Sequence, residues 1–229
     1  MNTQHPNQYP PEVILYGGTG QAKVVRPIIE SNGAKVVVVV DDTPDLSPPF
    51  QDIELLYGMA SLDSWLNTRN VSQIGFSITI GNPHGRIRCK LHDLLMQRGL
   101  SPVTVIHETA WVAGNAVIGP GCQIMAGAIV GAEARLSRQC IVNTNASIDH
   151  ETVMEEGAEV APGATVCGLV TLGKNTWIGA GATVLPRITI KDDTIIGAGA
   201  VVTRDFPANV IATGVPAAIK KKDENKSNE

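Results

Sequence analysis

The chain has 229 residues, 43% hydrophobic and 17% charged, enough apolar matter for one large folded core or two modest ones. Lys and Arg number 18 against 22 Asp and Glu, a formal charge of −4, so there is no basic field to draw in a phosphate backbone and nucleic acid is not an expected partner. The apolar run Val36 to Val40 falls far short of the ~20 residues a bilayer helix needs, and the opening MNTQHPNQYPP has no apolar core, so neither membrane span nor signal peptide is expected and the expected compartment is the cytoplasm.

Residues 1–11 read as a flexible N-terminus. Val13 to Tyr16 then leads into GGTGQAKVVRPIIE, Lys35 to Val40 into Asp41-Asp42, and Ile74 to Ile80 into GNPHGRIRCKLHDLLMQRG, with Val103 to Ile106 following. Apolar runs alternating with helical patterns predict a small parallel sheet flanked by helices, a Rossmann-like α/β domain over residues 12–107. GGTGQAK follows a strand and opens a helix, as a phosphate-binding turn does, although it lacks the third glycine of GxGxxG and the GK[ST] of a P-loop. Asp41-Asp42 falls where an NAD-binding fold places its ribose-binding acid. On these residues alone a nicotinamide enzyme and an ordinary tight turn with a solvated acidic loop both stay open.

After residue 107 the helical period gives way to a period of six. Every sixth residue from Val112 to Val202, sixteen in all, is aliphatic or Met, and four residues after each comes a mostly small one, from Ala116, Cys122 and Ala128 through Ala200 and Phe206. An unbroken repeat of this kind predicts a parallel β-helix with three faces per coil, about five coils and no looped-out insertion. This stretch resembles the hexapeptide-repeat acyltransferases, and the resemblance implies a left-handed coil and a trimer. The β-helix is placed over 108–215 and a charged tail over 216–229. Cys89, Cys122, Cys140 and Cys167 form no CxxC pair and read as structural thiols.

Within Ile148-Asp149-His150-Glu151-Thr152-Val153 the inward positions go to Ile148 and Thr152, which leaves His150 outside the core. No other histidine lies in the repeats, carboxylates flank it on both sides, and Asn143 and Asn145 lie one repeat earlier. The plain reading is a solvated surface side chain. The functional one is a general base, since imidazole titrates near neutrality and a carboxylate stabilises its charged form. Such a base suits acyl transfer to an amine, with Glu151 the first choice of orienting carboxylate and Asp149 the second, and with a backbone N–H at Cys167-Gly168 available to an oxyanion. The three histidines of a zinc β-helix enzyme are lacking, so no metal is expected: only His150 lies in the coils and His107 at their edge.

GGTGQAKVV, then DD, then ITIGNPHGR, joined to a hexapeptide helix containing SIDHE, resembles the nucleotide-sugar acetyltransferases of the sialic-acid and bacillosamine type. The resemblance runs from about Val13 to Lys220 and implies N-acetylation, at C4, of a nucleotide-linked amino-deoxy sugar for a surface glycan, with acetyl-CoA as co-substrate. It implies that Thr19, Gly20 and Gln21 meet the nucleotide-sugar, that Asp41 and Asp42 lie at its nucleobase end, and that Gly81 forms the turn after the third strand. It further assigns His150 as base, Glu151 as its acidic partner and Asn143 as a polar residue beside the amine. Gly168, Ala180 and Ala198 would line the acetyl-CoA groove, with TGVPA and Lys221 near the adenosine phosphates, in a homotrimer whose active sites lie between subunits. Uridine diphosphate is the first expectation for the nucleotide, with guanosine and thymidine diphosphates as alternatives. Two positions depart from the family: Gln21 and Glu159 stand where it commonly has histidines. The rival readings are O-acetylation of a sialic acid by the same base and a non-catalytic sugar-nucleotide scaffold.

Overall fold

The computed structural model describes residues 9–81 and 83–222, which fall into two compact units. One is built from residues up to 81 together with 90–105, the other from 83–89 and 106 onward.

The first unit is a five-stranded parallel sheet. Its strands are β1 (Glu12–Tyr16), β2 (Lys35–Asp41), β3 (Leu55–Tyr57), β4 (Ile74–Ile78) and β5 (Ser101–Pro102), in the order β3-β2-β1-β4-β5. The unbroken valines of β2 follow from burial on both faces, as in any sheet covered by helices. Helix α1 (Gly20–Ser31) turns Ala22, Val25, Ile28 and Ile29 inward, α2 is Gly58–Leu66, and α3 is Gly85–Gln97. Leu62, Leu66, Leu91 and Leu95 pack with Ile14, Tyr16, Val38, Val40, Phe76 and Ile78 in one core. β3 and α2 escaped the sequence reading because a three-residue strand carries too little period to register.

From β1 the chain passes to β2 on one side, and β4 lies on the other, so the crevice outside the carboxyl ends of β1 and β4 is the switch point where such sheets bind ligands. Gly17 makes that crevice possible. Its φ is +113°, and a Cβ there would stand 2.6 Å from the Thr79 carbonyl oxygen, so no other residue lets β1 end against β4.

Residues 9–11, expected to be free, are tied in: Tyr9 donates its hydroxyl to the Thr104 carbonyl at 3.0 Å, and the Pro11 carbonyl accepts from Lys35 N–H at 2.9 Å.

The second unit is a parallel β-helix whose coils each contribute one two-residue strand to three faces. The first face stacks six strands from Trp111–Val112 to Val201–Val202, the second stacks five from Val117–Ile118 to Thr189–Ile190, and the third holds eight. Stacked partners are eighteen residues apart, as Ser147 and Thr165 are. The six-residue register is the core: Ile124, Val130, Val142, Ile148, Met154 and Val160 are fully buried, and so are the small partners Cys122, Ala128, Ala134 and Cys140. The final strands correct the expected tail. Ala218–Lys222 runs antiparallel to Val210–Thr213 on the third face, and the rest of that tail lies outside the described residues.

At each corner one residue per coil takes a left-handed backbone, and the corners differ in who occupies it. Between the third and first faces these are Gly127, Asn145, Gly163, Gly181 and Gly199; between the second and third they are Gly121, Gln139, Gly157, Asn175 and Asp193. Between the first and second faces they are Glu133, Glu151, Leu169 and Arg187, with no glycine or asparagine among them. A left-handed conformation costs a bulky L-residue roughly 1–2 kcal/mol, so this edge keeps its side chains against local strain.

Candidate active site

His150 sits on that strained edge, in the turn after Ser147–Ile148. Its Nδ1 is 3.0 Å from Glu151 Oε2, and both side chains are about half exposed, 50% and 49%. Asp149 is otherwise engaged: its Oδ1 accepts the His150 backbone N–H at 2.7 Å. The geometry therefore separates the two carboxylates, one on the ring and one on the turn.

The turn is clamped by its neighbours in the stack. Glu151 N–H donates to the Ala132 carbonyl at 2.8 Å, and the His150 carbonyl accepts from Leu169 N–H at 2.9 Å. Beneath the surface, buried Thr152 donates its hydroxyl to the Cys167 carbonyl at 3.1 Å. Two glycines make room. A Cβ on Gly131, in the coil below, would stand 2.7 Å from His150 N, and one on Gly168, in the coil above, 2.4 Å from His150 Nε2. Gly168 was expected in the acetyl-CoA groove; it lies directly against the imidazole. Gly131 and Thr152 were not singled out as site residues, yet a stacking offset of one coil points to both glycines once His150 is chosen.

Asn143, expected beside the amine, and the expected groove residues Ala180 and Ala198 lie elsewhere in this chain. Asn143 follows Ile141–Val142 on the third face, and Ala180 and Ala198, both exposed, follow Trp177–Ile178 and Ile195–Ile196 on that same face. They occupy the edge between the third and first faces, across the first face from His150. Asn143 Oδ1 accepts its own turn's Thr144 N–H at 2.8 Å. One chain does not bring Asn143 beside His150. The side chain of Lys221 lies outside the described residues.

In the α/β unit, Thr19 caps α1 without a side-chain hydrogen bond, and the first turn holds no acidic residue. The helix therefore presents its positive end, with the N–H groups of Gly20 and Gln21, beside the switch-point crevice. A Cβ would meet nothing within 4 Å at Gly20 or Gly81, so neither glycine is there for space. Asp41 is buried and holds the loop together, accepting Gly18 N–H at 2.6 Å on Oδ2 and Thr43 N–H at 2.8 Å on Oδ1. Asp42 is exposed and accepts the Tyr16 hydroxyl at 2.8 Å. Among the described residues, no group of three or more His, Cys, Asp or Glu is arranged to hold a metal ion, and no helix is long and apolar enough to cross a membrane.

Comparison with known proteins places both halves. Residues 12–91 match the PglD N-terminal domain, and residues 170–204 match the bacterial transferase hexapeptide (six repeats). The structure of PerB from Caulobacter crescentus, in complex with CoA and GDP-perosamine, is similar over 92% of this chain and 97% of that one, at 33% identity and a TM-score of 0.83. The acetyltransferase domain of PglB from Neisseria gonorrhoeae, in complex with acetyl coenzyme A, is similar over 91% and 98%, at 26% identity and a TM-score of 0.80. WeeI from Acinetobacter baumannii shares the fold, with 22% identity over 90% and 98% and a TM-score of 0.81.

The chain belongs to the hexapeptide-repeat nucleotide-sugar acetyltransferases.

Glu159 is held by an arginine. The residue is on the third face, 2% exposed, with Oε2 3.3 Å from Arg88 Nη1 of α3's first turns. Arg88, 1% exposed, also donates to the carbonyls of Gly157 at 2.8 Å and Gln139 at 3.3 Å. A carboxylate bound in this way anchors the first turns of α3. Sequence reading passed over Arg88, since nothing in GRIRCKLHD distinguishes the inward arginine from Arg86, which pairs with Asp193.

Proposed function

We propose that this enzyme transfers the acetyl group of acetyl-CoA to the amino group, at C4, of a nucleotide-linked amino-deoxy sugar, with His150 as general base. The observation that carries the reading is the His150–Glu151 pair on the strained edge: Glu151 holds Nδ1, which leaves Nε2, against Gly168, as the atom that receives a proton. The neutral amine attacks the thioester carbonyl as Nε2 takes its proton, and Glu151 stabilises the imidazolium. The Gly168 N–H, for which the described residues offer no acceptor, supplies the donor for the oxyanion. Collapse expels the CoA thiolate, which takes the proton back from the imidazolium.

Direct attack fits better than an acyl-enzyme. Cys167 is the thiol beside this turn, and burial, together with the Asp149 carboxylate, pushes its pKa up, so it stays protonated and weakly nucleophilic. At the other end of the substrate, the first turn of α1 with Thr19, Gly20 and Gln21 receives the diphosphate. The similarity to PerB, whose structure holds CoA and GDP-perosamine, supports both halves of the reading. The separation of His150 from Asn143, Ala180 and Ala198 on opposite edges favours a homotrimer in which one subunit's base meets its neighbour's groove. Trp111 and Ile129, adjacent on the first face and 55% and 45% exposed, are apolar surface suited to that contact.

The test is free-thiol release from acetyl-CoA with a panel of nucleotide-linked 4-amino sugars and with sialic acid. Release with an amino sugar is expected. Release with sialic acid alone would mean O-acetylation, and release with none would remove the transferase reading.

Gly168→Ala probes the site without replacing the base. The added methyl displaces the imidazole, and turnover is expected to fall by about 10²-fold, the scale of a 1 Å misplacement. Circular dichroism and the melting temperature should stay near the parent's; unchanged turnover would show that the ring has room to spare.

A further inference from the structure

The α/β unit contains a cavity of about 450 Å³ lined by Asp42, Pro44, Asp45, Tyr57 and Gly58. It opens where β2 and β3 end, since Asp41 pairs with Tyr57 in the sheet, and the carboxyl ends of parallel strands are where such sheets bind ligands. We propose that Asp42 makes this cavity, which lies at the nucleobase end that the resemblance implies, selective for guanine, an inference that rests on the nucleotide-sugar reading above.

Both recognising side chains are held in place before any ligand arrives. The Tyr16 hydroxyl, on a side chain 1% exposed, donates to Asp42 Oδ1 at 2.8 Å and fixes the carboxylate. Tyr57 is 48% exposed, yet its hydroxyl donates to the Leu46 carbonyl at 2.8 Å, so the ring stands as a fixed wall on which a flat base can stack. Gly58, at φ +75°, starts α2 at this wall, and even a Cβ there would lie 3.7 Å from Asp42 Oδ1, so nothing crowds the carboxylate. Asp41, the other half of the acidic pair, is spent on the backbone N–H groups of Gly18 and Thr43. Of that pair, Asp42 is the one that lines the cavity.

The lining holds two carboxylates and no cation, so it repels phosphate and accepts a group rich in N–H donors. Guanine places N1–H and its 2-amino group side by side, matched to the two oxygens of one carboxylate. Uracil and thymine offer one N–H between two carbonyls, whose oxygens face the carboxylate with like charge. Adenine and cytosine set an amino group beside a ring acceptor. Uridine diphosphate, the first expectation from the sequence, is therefore the poorer fit.

Calorimetric titration of the full chain with GDP, IDP, UDP and dTDP tests this directly. GDP should bind tightest, and IDP, which lacks only the 2-amino donor, about tenfold or more weaker, the discrimination scale of one hydrogen-bonded base contact. In Asp42→Asn the GDP-to-IDP ratio should fall toward one. Equal affinity for GDP and UDP in the parent overturns the proposal, as does an unchanged ratio in a folded Asp42→Asn. Should that variant fail to fold, the parent's own series of four nucleotides decides. If GDP is preferred but no nucleotide-linked amino sugar releases thiol, the pocket stands and the transferase reading falls; if UDP-linked sugars are acetylated and GDP binds no better than UDP, the reverse holds.

Discussion

His150→Ala is expected to lower kcat by about 10²–10⁴-fold, the usual contribution of a positioned general base, while acetyl-CoA binding persists. The reason is local. An alkylammonium at neutral pH is not nucleophilic, and Nε2 is the acceptor the structure offers beside the Gly168 N–H, with Nδ1 already bound to Glu151 at 3.0 Å. Deleting the ring leaves the two clamps on the turn intact, because those run through the backbones of Glu151 and Leu169, so the coil should fold as before. Thiol release measures kcat, and calorimetry with acetyl-CoA measures binding. Turnover within a fewfold of the parent would refute the assignment. Glu151→Gln should lie between the two, since it keeps a hydrogen-bond acceptor for Nδ1 but loses the charge that stabilises the imidazolium.

Arg88→Met should destabilise the protein by about 3–5 kcal/mol, the scale for removing one partner of a buried ion pair. Arg88 and Glu159 are 1% and 2% exposed, and the guanidinium also satisfies the carbonyls of Gly157 and Gln139. Without it, a carboxylate loses its cation and two carbonyls lose a donor in a place water does not reach. The Arg88→Met, Glu159→Met double variant should be more stable than the single Arg88→Met, because a buried pair replaced by apolar groups removes the uncompensated charge. Urea denaturation of the three proteins checks the order. A loss under about 1 kcal/mol in the single variant would place the pair among those that contribute little.

The two halves of the chain differ in how far the sequence speaks for itself. Sixteen residues in strict six-residue phase determine the β-helix, since each coil must stack like on like and a slip would expose the core; that register places Ile148 and Thr152 inside and His150 outside. The α/β alternation was likewise legible, because period is a local property. Which carboxylate orients His150 was not. Asp149 and Glu151 are equivalent neighbours in the sequence, and only the turn, with Glu151 left-handed at φ +56°, sends one to the backbone and the other to the ring. The roles of Arg88, Tyr16 and Tyr57 were also closed to sequence reading, because each depends on a partner brought close by the fold: Glu159, Asp42 and the Leu46 carbonyl. Period is written in the chain, but a contact between residues far apart in it exists only once the coils and the sheet have closed.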